Sequence, residues 1–177
     1  MVPLLKQADL KPFLQQALDL GAAHAKVIDP ATIVTAAWVR LKCQYGCGGY
    51  GTTLCCPPHT PTHDQTREVI DSYRRAILVH VKPGQRGSVP DVKHLVVTLE
   101  REIFLAGFYK AFAFGSGPCF LCAECNLKSC VHAYEARPCL EACGVDVYAT
   151  ARGNGLPIGV VTDRDCDQNY YGAVLID

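Results

Sequence analysis

Eleven of the chain's 177 residues are cysteines, and eight of them fall in two short stretches. "CQYGCGGYGTTLCC" runs from Cys43 to Cys56 with spacing C-x3-C-x7-C-C, and "CFLCAECNLKSC" runs from Cys119 to Cys130 with spacing C-x2-C-x2-C-x4-C. Any fold this chain adopts must place those thiols where they are inert or useful. Their number is odd, so complete pairing within one chain fails. The opening residues, "MVPLLKQADLKPF", lack the basic segment followed by an apolar stretch that marks a secretory signal. The expected setting is therefore a reducing cytoplasm, where structural disulfides are rare. A chain of this length also builds a core without covalent staples. The thiols are read as metal ligands.

The spacing narrows the metal. Thiols at two-residue steps let a loop wrap a cube of iron and sulfide, whereas zinc favours two C-x2-C pairs split by a longer loop. Cys119, Cys122 and Cys125 are thus read as ligands of a [4Fe–4S] cluster, with zinc as the alternative. The ferredoxin pattern continues with x3 and a proline; here Cys130 follows after x4. Cys43, Cys47, Cys55 and Cys56 form the expected second set. Neighbouring residues point their Cβ atoms apart, so Cys55 is expected to be the weakest ligand there, facing the core or reaching the other cluster. Cys56 precedes a proline, as the remote ligand of a ferredoxin cluster does. Two connectivities stay open. Each loop holds its own cluster, or Cys56 completes the Cys119, Cys122 and Cys125 set while Cys130 joins Cys43 and Cys47. Cys139, Cys143 and Cys166 read as small buried hydrophobes rather than ligands. His59 and His63 flank the first stretch and His132 follows the second; His80, inside an apolar run, reads as a satisfied core histidine.

Strands and helices alternate along the chain. An amphipathic helix is predicted over 7–21, strands over 23–29 and 35–41, and a helix from Thr62, whose spacing to Gln65 is that of a capping box. A buried strand at 75–81 precedes a long helix that Ser88, Pro90 and Asp91 open, with a stripe of Val92, Leu95, Val96, Leu99 and Ile103. A short strand in "KAFAFG" leads to Cys119, and a helix over 145–152 and strands at 157–161 and 170–176 follow. The expected fold is α/β in one domain spanning 1–177: a mixed β-sheet with packed helices and both cysteine loops at strand ends. Acidic and basic residues balance, which gives no reason to expect nucleic acid as a partner. No apolar run approaches the roughly 20 residues of a membrane span. No Ser–His–Asp, P-loop or H-E-x-x-H pattern occurs.

Four segments carry a resemblance: "CQYGCGGYGTTLCCPPHTPT", "LEREIFLAGFYKAFAFGSGPCFLCAECN", "ARPCLEACGVDVYATA" and "NYYGAVLID". Over roughly residues 25 to 177 the chain resembles a family of cysteine-rich predicted metal-binding proteins of anaerobic bacteria and archaea. The resemblance implies metal binding, of iron–sulfur type, and assigns no reaction. The family's cysteines fall on Cys43, Cys47, Cys56, Cys119, Cys122, Cys125 and Cys130, while Cys139 stands where a serine is expected. Three functions follow as expectations. One is electron transfer, or a redox accessory role, with a redox partner protein. Another is catalysis at a cluster iron left open by Cys55, with Tyr50, His59 or Arg137 nearby. The third is a zinc-stabilised interaction module.

Overall fold

A computed structural model describes residues 10–83, 91–163, 166 and 168–177. Among them, four strands form one sheet: β1 (His24–Ile28), β2 (Ala76–Val81), β3 (Phe112–Phe114) and β4 (Tyr170–Leu175), in the order β1-β2-β4-β3. The helices are α1 (Lys11–Asp19), α2 (Ala37–Gly46), α3 (His63–Asp71), α4 (Val92–Leu105) and α5 (Val147–Gly153). Residues 7–9 of the first expected helix, and Ser88 and Pro90 ahead of α4, lie outside the described residues. The α/β class with helices packed on a sheet is what forms. Its ladders are all antiparallel rather than mixed. The reason is topological: β2 and β3 run parallel, but β4 inserts between them, antiparallel to each. Parallel pairing is confined, among the described residues, to an isolated bridge between Gly115 and Cys139.

Both faces of the sheet are covered, and this is why β2 is buried along its whole length and apolar but for His80. Ile77, Val79 and Val174 pack under α1 and α4, against Leu10, Ala17, Leu95, Val96 and Leu99. The alternate residues Ala76, Leu78, Ala173 and Leu175 meet Ile70 of α3, Val147 and Ala151 of α5, and Leu140, Cys143 and Val145. Each large aliphatic side chain buried this way contributes about 1.5–3 kcal/mol. At Gly172 an added Cβ would stand 2.7 Å from Val96 Cγ1 and 2.9 Å from Val92 Cγ1, so α4 lies directly on β4 there. The predicted capping box is present: the Thr62 hydroxyl accepts from Gln65 N and the Gln65 side chain accepts from Thr62 N at 2.9 Å. His80 is fully buried and satisfied, 2.9 Å from His24 (Nδ1 to Nδ1) and 2.8 Å from Asn169 Oδ1 through Nε2.

Two predicted strands do not form. Residues 35–41 carry only a bridge from Thr35 to Val145 and then become α2. Alanine, leucine, arginine and lysine favour a helix, and the helical period buries Val39 while leaving Trp38 and Leu41 exposed. The first cysteine loop therefore leaves a helix; only the second leaves a strand end. Residues 157–161 hold no strand: Pro157 has no N–H to give a ladder, and its carbonyl instead accepts from the Tyr171 hydroxyl. Among the described residues no helix is long and apolar enough to cross a membrane.

Candidate metal centre

Helix α2 aims the first thiols. Cys43 lies one turn beyond the buried Val39, and Cys47, the C-cap residue, lies one turn beyond Cys43, so the three share a face. Arg40 fastens this helix to its surroundings, donating from Nη1 to the carbonyls of Pro61 at 2.7 Å and Ala142 at 3.0 Å. The loop that follows is a chain of tight turns. Tyr50 N donates to Cys47 O, Cys56 N to Thr53 O and His59 N to Cys56 O, at 3.0–3.3 Å. Gly51, at φ 73°, donates to Pro57 O at 2.7 Å and closes the loop.

Gly49 sits at the hub. A Cβ there would stand 3.4 Å from Cys56 Sγ, 3.5 Å from Cys47 Sγ and 3.3 Å from Pro118 Cβ. The backbone therefore passes between two sulfurs and against the start of the second cysteine loop. Its own N–H reaches Cys47 Sγ at 3.4 Å. The two loops are thus in contact. Cys43, Cys47 and Cys56 line a cavity of about 490 Å³ whose other walls include Trp38, Tyr50, Tyr148 and Tyr171. Cys139 and Glu141 also face it.

The second loop leaves β3 at Gly115, which donates to Pro138 O at 2.9 Å where the chain returns. Cys119, Cys122, Cys125 and Cys130 line a second cavity of about 530 Å³. Cys55 lines it too, with His132, while Cys56 does not. The adjacent thiols thus diverge into different cavities. Cys47, Gly49 and Pro118 border both cavities and form the wall between them.

Crowding shows in the acidities. Burial, then the charges of Cys47 and Glu141, raises the Cys43 thiol above its usual range. Burial and Cys119 push Cys55 up to about 12, against a downward pull from Lys93. Burial likewise takes Cys143 to about 12 and raises Cys139 well above the ordinary thiol. Bound metal reverses this, because coordination favours the thiolate.

The remaining candidates lie elsewhere. His59 is exposed and borders neither cavity, and His63 pairs with Asp64 at 3.2 Å. Arg137 is held by Glu100 through bonds of 2.7 and 2.5 Å. Cys143 sits in the core, and Cys166 lies 3.1 Å from the Thr162 hydroxyl, which draws its acidity toward the thiolate. Glu141 and Lys93 carry no signal in the sequence, and Gly49 stands there among Gly46, Gly48 and Gly51 without distinction.

Thiols dominate this donor set, and thiolates suit zinc and iron–sulfur centres rather than magnesium or calcium. Gly49 leaves open the space that flanks two of them. Among the described residues, no three His, Cys, Asp or Glu side chains close on one point as a single-ion site would. The molecule is thus a thiol-rich α/β protein with two adjoining cysteine-lined cavities. Residues 26–176 match the family described as "Predicted metal-binding protein (DUF2284)", and the chain belongs to that family. No curated protein and no solved structure matches it.

Proposed function

We propose that this protein binds two [4Fe–4S] clusters and passes electrons to a redox partner protein in an oxygen-poor cytoplasm. The observation that carries the reading is the sorting of eight thiols into two adjoining sets: Cys43, Cys47 and Cys56 on one cavity, Cys55, Cys119, Cys122, Cys125 and Cys130 on the other. The C-x2-C-x2-C spacing of the second set suits a cube better than zinc. Clusters bound there would supply one-electron redox chemistry. The chain's own part is to hold the thiolates, to give N–H groups such as that of Gly49 to sulfur, and to keep bulk water from Cys55 and Cys56, which are buried. The single wall of Cys47, Gly49 and Pro118 would keep the two centres close enough to exchange electrons. Phe120, Leu121 and Val131 stand exposed around the second set, where a partner could approach.

A second reading has its own observation. With Cys55 turned to the other cavity, Cys43, Cys47 and Cys56 face an aromatic-walled space, alongside the buried Cys139. A cube held by those three thiols, with Cys139 kept back by its burial, would keep one iron open to substrate, which is the enzymatic alternative. The deciding experiment is anaerobic purification with iron, sulfide and zinc analysis and low-temperature EPR of the reduced protein. Two clusters predict about eight irons and eight sulfides per chain. Cys122→Ala and Cys43→Ala should each lose about half of the iron. Stoichiometric zinc in a colourless protein would instead establish the zinc-stabilised module. A substrate-induced change in the spectrum of one cluster alone would favour catalysis.

A further inference from the structure

Arg40 and Arg137 lie near the thiols, but both are committed, one to backbone carbonyls and the other to Glu100. Lys93 differs. Its ammonium nitrogen is sealed from solvent and, among the described residues, has no hydrogen-bond partner. It leaves the first turn of α4 and lies across Gly115. A Cβ on Gly115 would stand 2.5 Å from Lys93 Cγ and 3.4 Å from Cε, so the glycine clears the path for the side chain. Gly115 opens the loop that leads to Cys119 and bridges to Cys139, so the ammonium lies at the root of the second cysteine loop. Taking an ammonium out of water without an anion is costly, and proteins rarely leave one so.

We infer that Lys93 is the counter-charge of the anionic metal–thiolate centre formed with Cys55 and the Cys119–Cys130 thiols. The inference rests on the metal-centre reading above. Four thiolates around a cube, or around zinc, leave a net negative charge, and a fixed cation behind them stabilises that charge. Because reduction of a cluster adds a further negative charge, Lys93 also makes its reduction easier. Lys93 is therefore a positioning and tuning residue, not a ligand.

The test compares wild type with Lys93→Met, which keeps the apolar stem and removes the charge. Anaerobically purified proteins are analysed for iron, sulfide and zinc, challenged with a chelator, and titrated redox by EPR. Lys93→Met should release metal on the order of tenfold faster, the lower end of what losing such a supporting contact costs. One of the two midpoint potentials should become more negative. The metal-free forms should show the opposite sign: Lys93→Met should melt at or above the wild-type temperature, because a buried unpaired charge has gone. A residue that only packs would lower stability in both forms. Wild-type chelator resistance and potentials in Lys93→Met overturn the inference, as does a lower melting temperature without metal. If the wild type holds zinc and no iron, the iron–sulfur reading fails, and zinc release from Lys93→Met still decides for or against Lys93. A wild type that holds neither metal overturns both.

Discussion

The two cysteine loops present the same chemistry on very different supports. The upstream loop is braced. It starts on a helix, folds through successive turns, closes through Gly51 and Pro57, and buries Cys55 and Cys56. The downstream loop stands out from the body. Phe120 is 83% exposed, Val131 71% and Tyr134 93%, although apolar side chains of that size ordinarily seek cover. Within residues 119–136 the bonds among the described residues are few: Ser129 N to Asn126 O, Lys128 N to Asn126 Oδ1, and Glu135 and Ala136 N to His132 O; from outside, Arg137 Nη1 donates to the carbonyls of Ala133 and Ala136 at its end. The fold positions the first set of thiols, whereas few bonds of its own hold the second. With metal bound as proposed, pre-organisation and metal-coupled ordering would sit side by side, separated by one wall.

The strongest way to break this contrast is to remove the brace. Gly144 has φ 78°, and a Cβ there would stand 2.7 Å from His63 Cβ and 2.9 Å from its Cα. Its carbonyl accepts from Ala36 N just before α2, at 2.8 Å. Gly144→Ala meets both a left-handed backbone and a backbone contact, so it should destabilise the metal-free protein by about 3 kcal/mol in denaturant unfolding. Metal should be lost from the Cys43, Cys47 and Cys56 set before the other. If the second set loses its metal first, the upstream loop is not the one that the fold supports.

A milder test leaves the sequence intact. Chelation should expose residues 119–136 to protease on the order of tenfold more, because little but the metal holds them, while residues 43–59 keep their resistance. Limited proteolysis with mass mapping of the cuts reads this directly. Equal cleavage of both loops would erase the distinction.

That contrast was only partly legible in the sequence. The stripe on α4 and the Thr62–Gln65 box were readable because their signals are local and periodic. The divergence of Cys55 and Cys56 was also readable, since adjacent Cβ atoms point apart. That Cys55 reaches toward the other set was one of the readings the sequence left open; choosing among them depends on Pro118 packing against Gly49 from a distant part of the chain. Residues 35–41 misled because a short apolar run fits either period, and α2 buries only Val39. Lys93 gave no sign, because its partner glycine is brought to it by the return of β3 across the sheet.

The smallest effect sharpens the comparison most. Cys56 is 5% exposed, whereas Cys122 is half-buried in a loop with few internal bonds. Each substitution to alanine should remove a metal ligand, so metal content alone does not separate the supports. Stability without metal does. Cys56→Ala deletes a buried sulfur beside Gly49 and should cost about 1 kcal/mol, the scale of a small cavity that relaxes in part. Cys122→Ala removes a sulfur that the fold does not lean on and should stay within about 0.5 kcal/mol of wild type. Urea unfolding of the two metal-free variants, with unchanged slopes, measures the difference. Equal losses would mean that the downstream loop packs on the body as tightly as the upstream one, and that metal orders neither.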